Sequence, residues 1–510
     1  MPGNGLWRTK SIEQSIADTD EPDTRLRKDL TAWDLTVFGV AVVIGAGIFT
    51  LTASTAGNIA GPSVSLAFVL AAIACALAAL CYAEFASTVP VAGSAYTFSY
   101  ATFGEFAAWI IGWDLVLEFA VGSAAVAKGW SAYLQTTLGL FGLDVKTEVG
   151  DGVKFDWGAV LLVGVLTVLL VIGTKLSSRV SAVITAIKVA VVLLVIVLGI
   201  SYINADNYSP FIPPAAGEAD AGSGLEQSLF SLATGYSGST YGVLGMLAAA
   251  SIVFFAFIGF DVVATTAEET KNPQKAVPRG ILGSLAIVTV LYVAVTLVIT
   301  GMVPYEKLKT QPDGTRATLA SAFSDNGVDW AATVISVGAL AGLTTVVMVL
   351  MLGQSRVLFA MSRDGLLPRN LAKTGSHGTP TRITIIIGAL VAVAAGFFPA
   401  GKLEEMVNVG TLFAFSLVSA GVLVLRKTRP DLPRGFRVPL VPLVPILAIL
   451  ACLWLMLNLT ALTWVRFLAW MALGVVVYFI YSRRNSVLGK TGYAPVEPEP
   501  VIKHGEEPGI

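Results

Sequence analysis

The feature that most constrains this chain is the recurrence of uninterrupted apolar stretches of about 20 residues, the length a helix needs to cross the hydrocarbon core of a bilayer. Twelve occur, at approximately 35–57, 64–86, 106–134, 158–174, 180–203, 243–267, 280–303, 330–361, 383–399, 406–425, 439–459 and 463–482. Composition agrees. Of the 510 residues 55% are hydrophobic and 13% charged, and the mean hydropathy is +0.76; a soluble domain carries about 25% charged residues to cover its surface. The expected fold is an all-α integral membrane protein with 12 transmembrane helices, because a helix satisfies its own backbone polar groups in lipid.

Twelve crossings place both termini on one side of the membrane. Lys and Arg total 23 on the two tails and the even-numbered connections, against 6 on the odd-numbered ones. Positive charge is retained in the cytoplasm, so both tails are expected there, in a plasma-membrane protein. The connection at 204–242 has no Lys or Arg and reads as an extracellular loop with room for a short helix.

Several function classes are excluded early. A net charge of -1 removes the electrostatic case for nucleic acid. Cys75, Cys81 and Cys452 lie inside apolar runs and His377 and His504 outside them, which offers neither a disulfide framework nor a metal cluster. The polar N-terminal segment lacks the pattern of a cleaved signal peptide. No phosphate loop is found, since VGSAAVAKG lacks the required spacing, so no nucleotide or other cofactor is expected.

Two spans carry glycine near their middles. The first contains Val43-Ile44-Gly45-Ala46-Gly47-Ile48-Phe49 and the sixth Phe255-Ala256-Phe257-Ile258-Gly259-Phe260-Asp261. Gly-interrupted segments at corresponding places in two halves point to discontinuous helices 1 and 6 in a 5+5 inverted repeat, with spans 11 and 12 added. The expected division is a tail at 1–33, a first repeat at 34–203, the loop at 204–242, a second repeat at 243–426, two further helices at 439–482 and a tail at 483–510. An unwound helix frees N–H groups at the start of one half and carbonyls at the end of the other, which suit a carboxylate and an ammonium respectively. A zwitterionic amino acid presents both. Glycines that only allow close helix packing are the alternative; the pairing of the breaks and Asp261 beside the second favour a site.

The segments GAGIF, CYAEFASTVPVAGSAYTFSYATFGE (Cys81 to Glu105), FFAFIGFDVVATTAEETKNPQKAVPRGI (Phe254 to Ile281), QSRVLFAMSRDGLLP (Gln354 to Pro368) and LVLRKTRPDLPRGFRVPLVP resemble the cationic amino acid transporter family of the amino acid-polyamine-organocation superfamily. The likeness runs from about Leu26 to Arg484. It implies a secondary transporter with a substrate site at the bilayer midplane. Carried over by position, the carboxylate-binding turn matches Val43, Ile44, Gly45, Ala46 and Gly47. The carbonyls for the ammonium match Val43, Ile44, Phe255, Ala256 and Ile258. Ala46 stands where Ser or Thr is frequent in the superfamily, so any contact there is through backbone.

Ionisable residues inside spans are costly and mark function by default. Glu118 matches an acidic family position lining the cavity, and its expected role is a direct or water-mediated contact to the substrate amino group. Asp114 lies one turn away on the same face and is expected to orient neighbours. Asp261 either supports the second break or receives a longer cationic side chain. The resemblance implies that Lys188 puts its ammonium where sodium-coupled relatives hold sodium, bridging to helix 1; proton binding and release there would replace sodium. A fixed structural cation is the other reading of Lys188. Glu84 and Arg356 resemble family positions near the cytoplasmic side, as a gate or a static pair. Lys128 and Arg466 are expected to snorkel to the headgroups.

The function expected is amino acid permeation by alternating access, with a free amino acid, a proton and the lipid bilayer as partners and no obligate protein partner. A sodium-independent uniporter or exchanger for arginine, lysine or ornithine is the alternative; resemblance to twelve-span members, which often look like carriers of small neutral amino acids, inclines the reading towards a broad or neutral substrate. An intramembrane enzyme is disfavoured because no span holds histidine or a nucleophile-base pair, and a receptor because the tails carry no signalling domain.

Overall fold

The structure is a computed structural model; it describes Arg8 and residues 30–88, 94–143, 145–150, 154–172, 178–216, 224–235, 240–310, 316–372 and 380–491. Most of the two tails expected at 1–33 and 483–510, and both histidines, lie outside the described residues.

Helices dominate, as the apolar stretches require. They are α1 (Ala32–Val43), α2 (Val64–Thr88), α3 (Glu105–Leu140), α4 (Trp157–Ile172), α5 (Ser178–Gly199), α6 (Gly242–Val253), α7 (Pro273–Met302), α8 (Asp329–Arg363), α9 (Thr381–Phe397), α10 (Ala400–Thr428), α11 (Leu443–Leu457) and α12 (Ala461–Val477). Among the described residues, eight helical stretches are long and apolar enough to cross a membrane, the first of them holding both α1 and α2; α4, α9 and α11 are apolar but shorter. The chain is thus an all-α membrane protein. A minimal antiparallel hairpin, β1 (Glu148–Val149) with β2 (Phe155–Asp156), sits between α3 and α4, and a helix at Leu229–Thr234 lies in the 204–242 connection.

The helices sort into two groups by packing. In the first, α7 lies along both α1 and α2, and α6 packs on α2; α3, α4, α8 and α9 form a second set centred on the long α3–α8 contact. α10 bridges the sets, against α3 on one side and α2 and α11 on the other, while α5 touches α7 and α8. α12 is fastened to α3 by indole rings. Trp113 and Trp470 stack at 4.5 Å, and each donates its ring N–H to the other's backbone carbonyl, at 2.9 and 3.1 Å. This satisfies two polar groups that lipid cannot.

Charges near the span ends are paired across elements. Glu84 at the end of α2 accepts two bonds from Arg426 of α10, at 2.6 and 2.9 Å, and the Val438 N–H at 2.7 Å; Arg434 lies 3.2 Å away. Arg356 is exposed and is not its partner. Lys128 does not snorkel. It is buried, 3.2 Å from Glu148 and 3.3 Å from Asp156, because the hairpin folds back over the end of α3.

α1 and α6 meet where both are interrupted. At Gly47 a Cβ would fall 2.2 Å from the Ala256 Cα, so only a hydrogen fits between the two backbones. Gly47→Ala is therefore expected to destabilise the protein by about 1–3 kcal/mol or more through overpacking against backbone that cannot yield. Gly139→Ala, where nothing lies within 4 Å, is the control and should leave thermal unfolding in detergent unchanged; equal melting of both variants would refute the contact.

Candidate functional site

The two interruptions form one end of a small cavity, of about 30 Å3, enclosed by α1, α3, α6, α8 and α10. α1 ends at Val43 because Ile44 turns to an extended conformation, ψ 92°. The helical path resumes at Ala46, and the Gly45 carbonyl accepts the Phe49 N–H at 3.5 Å. The N–H groups of Gly45, Ala46 and Gly47 open this new segment and have no preceding turn to bond to. In the facing chain α6 tightens into a 3-10 turn over Phe254–Phe257, then Ile258 extends at ψ 138° and Gly259 takes φ 116°, a conformation that glycine alone adopts readily. The helix start that follows Ile44, with its positive potential, and the α6 break border the same cavity.

Val43, Gly45, Ala46 and Gly47 line the cavity from α1, and Phe255 and Ile258 from the α6 break. Glu118 lines it from α3, with Gly122 and Val126 at the following two turns; Val346 stands beside Gly45, and Leu350 and Val407 lie near Gly122. Ile44, Ala256 and Asp261 are buried beside the cavity rather than in its lining, and Ala256 is the residue against which Gly47 packs.

The polar side chains divide by their surroundings. Glu118 is buried next to the Thr411 hydroxyl, with Asp114 and Asp261 as charged neighbours, and its Oε1 has no partner. Both carboxyl oxygens of Asp114 lack partners as well. Asp261 sits against the backbone N–H groups of Gly259, Asp261 and Val262, the groups that the α6 break exposes, while its Oδ1 stays without a hydrogen bond. That position fits the support of the break. Lys188 of α5 lies outside the cavity, buried, with Nζ donating to the Ala41 carbonyl of α1 at 2.8 Å, one turn before Ile44. Among the described residues no carboxylate forms an ion pair with it.

One residue of the site was not anticipated. Tyr292 of α7 is fully buried between Phe68 and Phe257, and its hydroxyl donates to the Val43 carbonyl at 2.7 Å while lying 3.0 Å from the Ala256 carbonyl. It ties the two breaks together. A hydroxyl in the middle of an apolar span is the signal that could have found it. Gly122 and Val126 follow Glu118 at the four-residue spacing of a helix face and were equally readable; Val346, Leu350 and Val407 carry no mark that separates them from other apolar residues.

Tyr292→Phe keeps the ring and removes the donor, leaving a buried carbonyl unpaired. The expected cost is about 1–3 kcal/mol of stability, read as a fall in the unfolding temperature in detergent. A variant as stable as the parent would show that the ring packing, not the hydroxyl, matters.

The family model for amino acid permeases matches residues 30–483. The methylthioribose transporter of Bacillus subtilis is 43% identical over 494 residues, covering 96% of this chain and 100% of that protein. The branched-chain amino acid permease BcaP of the same organism is 44% identical over 494 residues, covering 95% and 99%. The vacuolar cationic amino acid transporter 4 of Arabidopsis thaliana is 37% identical over 442 residues, covering 84% of this chain and 68% of that protein. With a family match over nearly the whole chain and relatives that are transporters rather than enzymes, the chain belongs to the amino acid permease family of the amino acid-polyamine-organocation superfamily.

Proposed function

We propose that this permease takes up small neutral amino acids with apolar, branched side chains in symport with protons, by alternating access across the plasma membrane. The observation that carries this reading is the lining itself: backbone of the two helix breaks, apolar side chains, and Glu118 alone as an ionisable group among the described residues. At the breaks, the N–H groups of Gly45, Ala46 and Gly47 receive the α-carboxylate, and the carbonyls of Val43, Phe255 and Ile258, with Glu118, receive the α-ammonium, while Ile44 and Ala256 lie behind that lining. The side chain then points to Val126, Val346, Leu350 and Val407. Glu118 is the one ionisable lining group among the described residues, which leaves no partner for a second substrate charge.

In this reading the chain crosses the membrane twelve times with both ends cytoplasmic, as a 5+5 inverted repeat with two added helices. The set α1, α2, α6 and α7 rocks against α3, α4, α8 and α9. Lys188 couples the proton: its ammonium holds the Ala41 carbonyl, and its deprotonation frees that half of α1 to move without giving up an ion pair. The sodium-independent cationic uniporter or exchanger is the second reading, favoured by the plant relative's name and by the buried Asp261 near the break. A neutral sugar such as methylthioribose, named for another relative, has no charges to meet the two backbone ends.

Uptake of radiolabelled leucine, arginine and methylthioribose into proteoliposomes, with an inward proton gradient and no sodium, tests the proposal. Leucine should accumulate, and an uncoupler should abolish the accumulation. Arginine uptake that ignores the uncoupler would support the second reading instead. Lys188→Met should remove the response to the gradient; an unchanged response would make Lys188 a fixed structural cation. Glu118→Gln should raise the leucine KM about 10-fold or more, the loss of one charge-assisted hydrogen bond, and an unchanged KM would take Glu118 out of the site.

A further inference from the structure

A second and larger cavity lies beyond the first along the same helices. It encloses about 130 Å3, against about 30 Å3 at the breaks. Ser54 and Asn58 line it from the stretch that continues α1, Ile252 from α6, and Glu404 and Asn408 from α10 on either side of the Val407 level. Nine residues separate Gly45 from Ser54, roughly 13 Å of helix at 1.5 Å per residue. In the topology proposed above this is the outer side of the substrate site.

The walls carry opposed charges. Arg316, in the connection between α7 and α8, donates to both oxygens of Glu404 at 2.9 and 3.3 Å. The Glu404 side chain is 7% exposed and that of Arg316 is 31% exposed, so the pair closes the cavity from its rim. Asn408 is fully buried, its amide N–H held by the Ser251 carbonyl at 2.8 Å, and its Oδ1 has no partner. Asn58 and Thr310 exchange two further hydrogen bonds, at 3.0 and 3.1 Å, and draw the same connection onto the outer part of the first helix.

A guanidinium facing a carboxylate, with a spare amide oxygen beside them, is complementary to a zwitterion. The α-carboxylate of an amino acid can replace Glu404 at Arg316 while its α-ammonium replaces Arg316 at Glu404 and donates to Asn408. Charge stays balanced and the charge-assisted hydrogen bonds are exchanged rather than lost. We propose that the outer cavity is a second site for zwitterionic amino acids, filled before the midplane site, and that the Arg316–Glu404 pair opens by accepting one. This rests on the transport reading above. It adds a charge test at entry: an amine or a carboxylic acid alone satisfies one half of the pair and leaves the other without its partner, at a cost that is greatest for the buried Glu404.

The full-length protein in proteoliposomes provides the test. Its three cysteines are buried, so a membrane-impermeant maleimide reports on Ile59→Cys, a half-buried lining position. Leucine at about ten times its apparent dissociation constant should slow labelling roughly tenfold, and leucine methyl ester should not. Protection should persist with Glu118→Gln, which weakens the midplane site, disappear with Arg316→Gln, and survive in part with Arg316→Lys, which shows that the fold is intact. Protection abolished by Glu118→Gln and untouched by Arg316→Gln would overturn the outer site, as would an Ile59→Cys thiol that never reacts. Leucine uptake without protection in any background overturns the outer site and leaves transport standing. Protection without uptake of any amino acid does the reverse.

Discussion

The backbone contact between Gly47 and Ala256 is the constraint on which the rest depends. It brings two interrupted helices together inside a medium where an unpaired backbone group costs several kcal/mol. The interruption is tolerable because its polar groups are either taken up locally or turned to an enclosed space. Tyr292 meets the carbonyls of Val43 and Ala256, and Asp261 faces the N–H groups around Gly259. The N–H groups that open the segment at Gly45 to Gly47 and the unpartnered Oε1 of Glu118 border the cavity. The candidate site thus joins groups that helix breaking leaves over to one buried carboxyl of α3.

The surrounding helices keep that arrangement in register. α7 reaches both breaks through one tyrosine, and α5 reaches the end of α1 through Lys188. Further out, ion pairs fasten the ends. Glu84 joins α2 to α10, and Glu105 at the start of α3 gathers Arg8, Tyr100, Tyr478 and Ser486 from four separate segments. Such pairs break only at high cost when one partner is removed. Fixed ends and a soft, backbone-lined middle are what two helix sets need if they are to move against each other about a central site.

Much of this was legible in the sequence, and the illegible parts have physical reasons. The helix positions followed from apolar length, and the breaks from Gly45, Gly47 and Gly259. α10 starts at Ala400 rather than near 406 because Lys402, Glu404 and Glu405 close an apolar window without ending a helix. The partners of Glu84 were not readable, since Arg426 is 342 residues away and pairing across that distance is a property of packing. Lys128 was misjudged for the same reason: a charge at a span end snorkels unless a hairpin covers it, and nothing in the 144–156 stretch announces one. Tyr292 carries one readable mark, a hydroxyl inside an apolar span, but which carbonyls that hydroxyl meets is a property of packing.

A structure of the protein with leucine bound, determined by electron cryomicroscopy, tests the central claim most directly. It should place the leucine carboxylate about 3 Å from the N–H groups of Gly45 to Gly47, the ammonium among the carbonyls flanking the two breaks with Glu118 beside it, and the side chain against Val126, Val346 and Leu350. Leucine bound with its charged groups away from both breaks, or a cavity in which the α1 and α6 segments remain continuous helix, would contradict it.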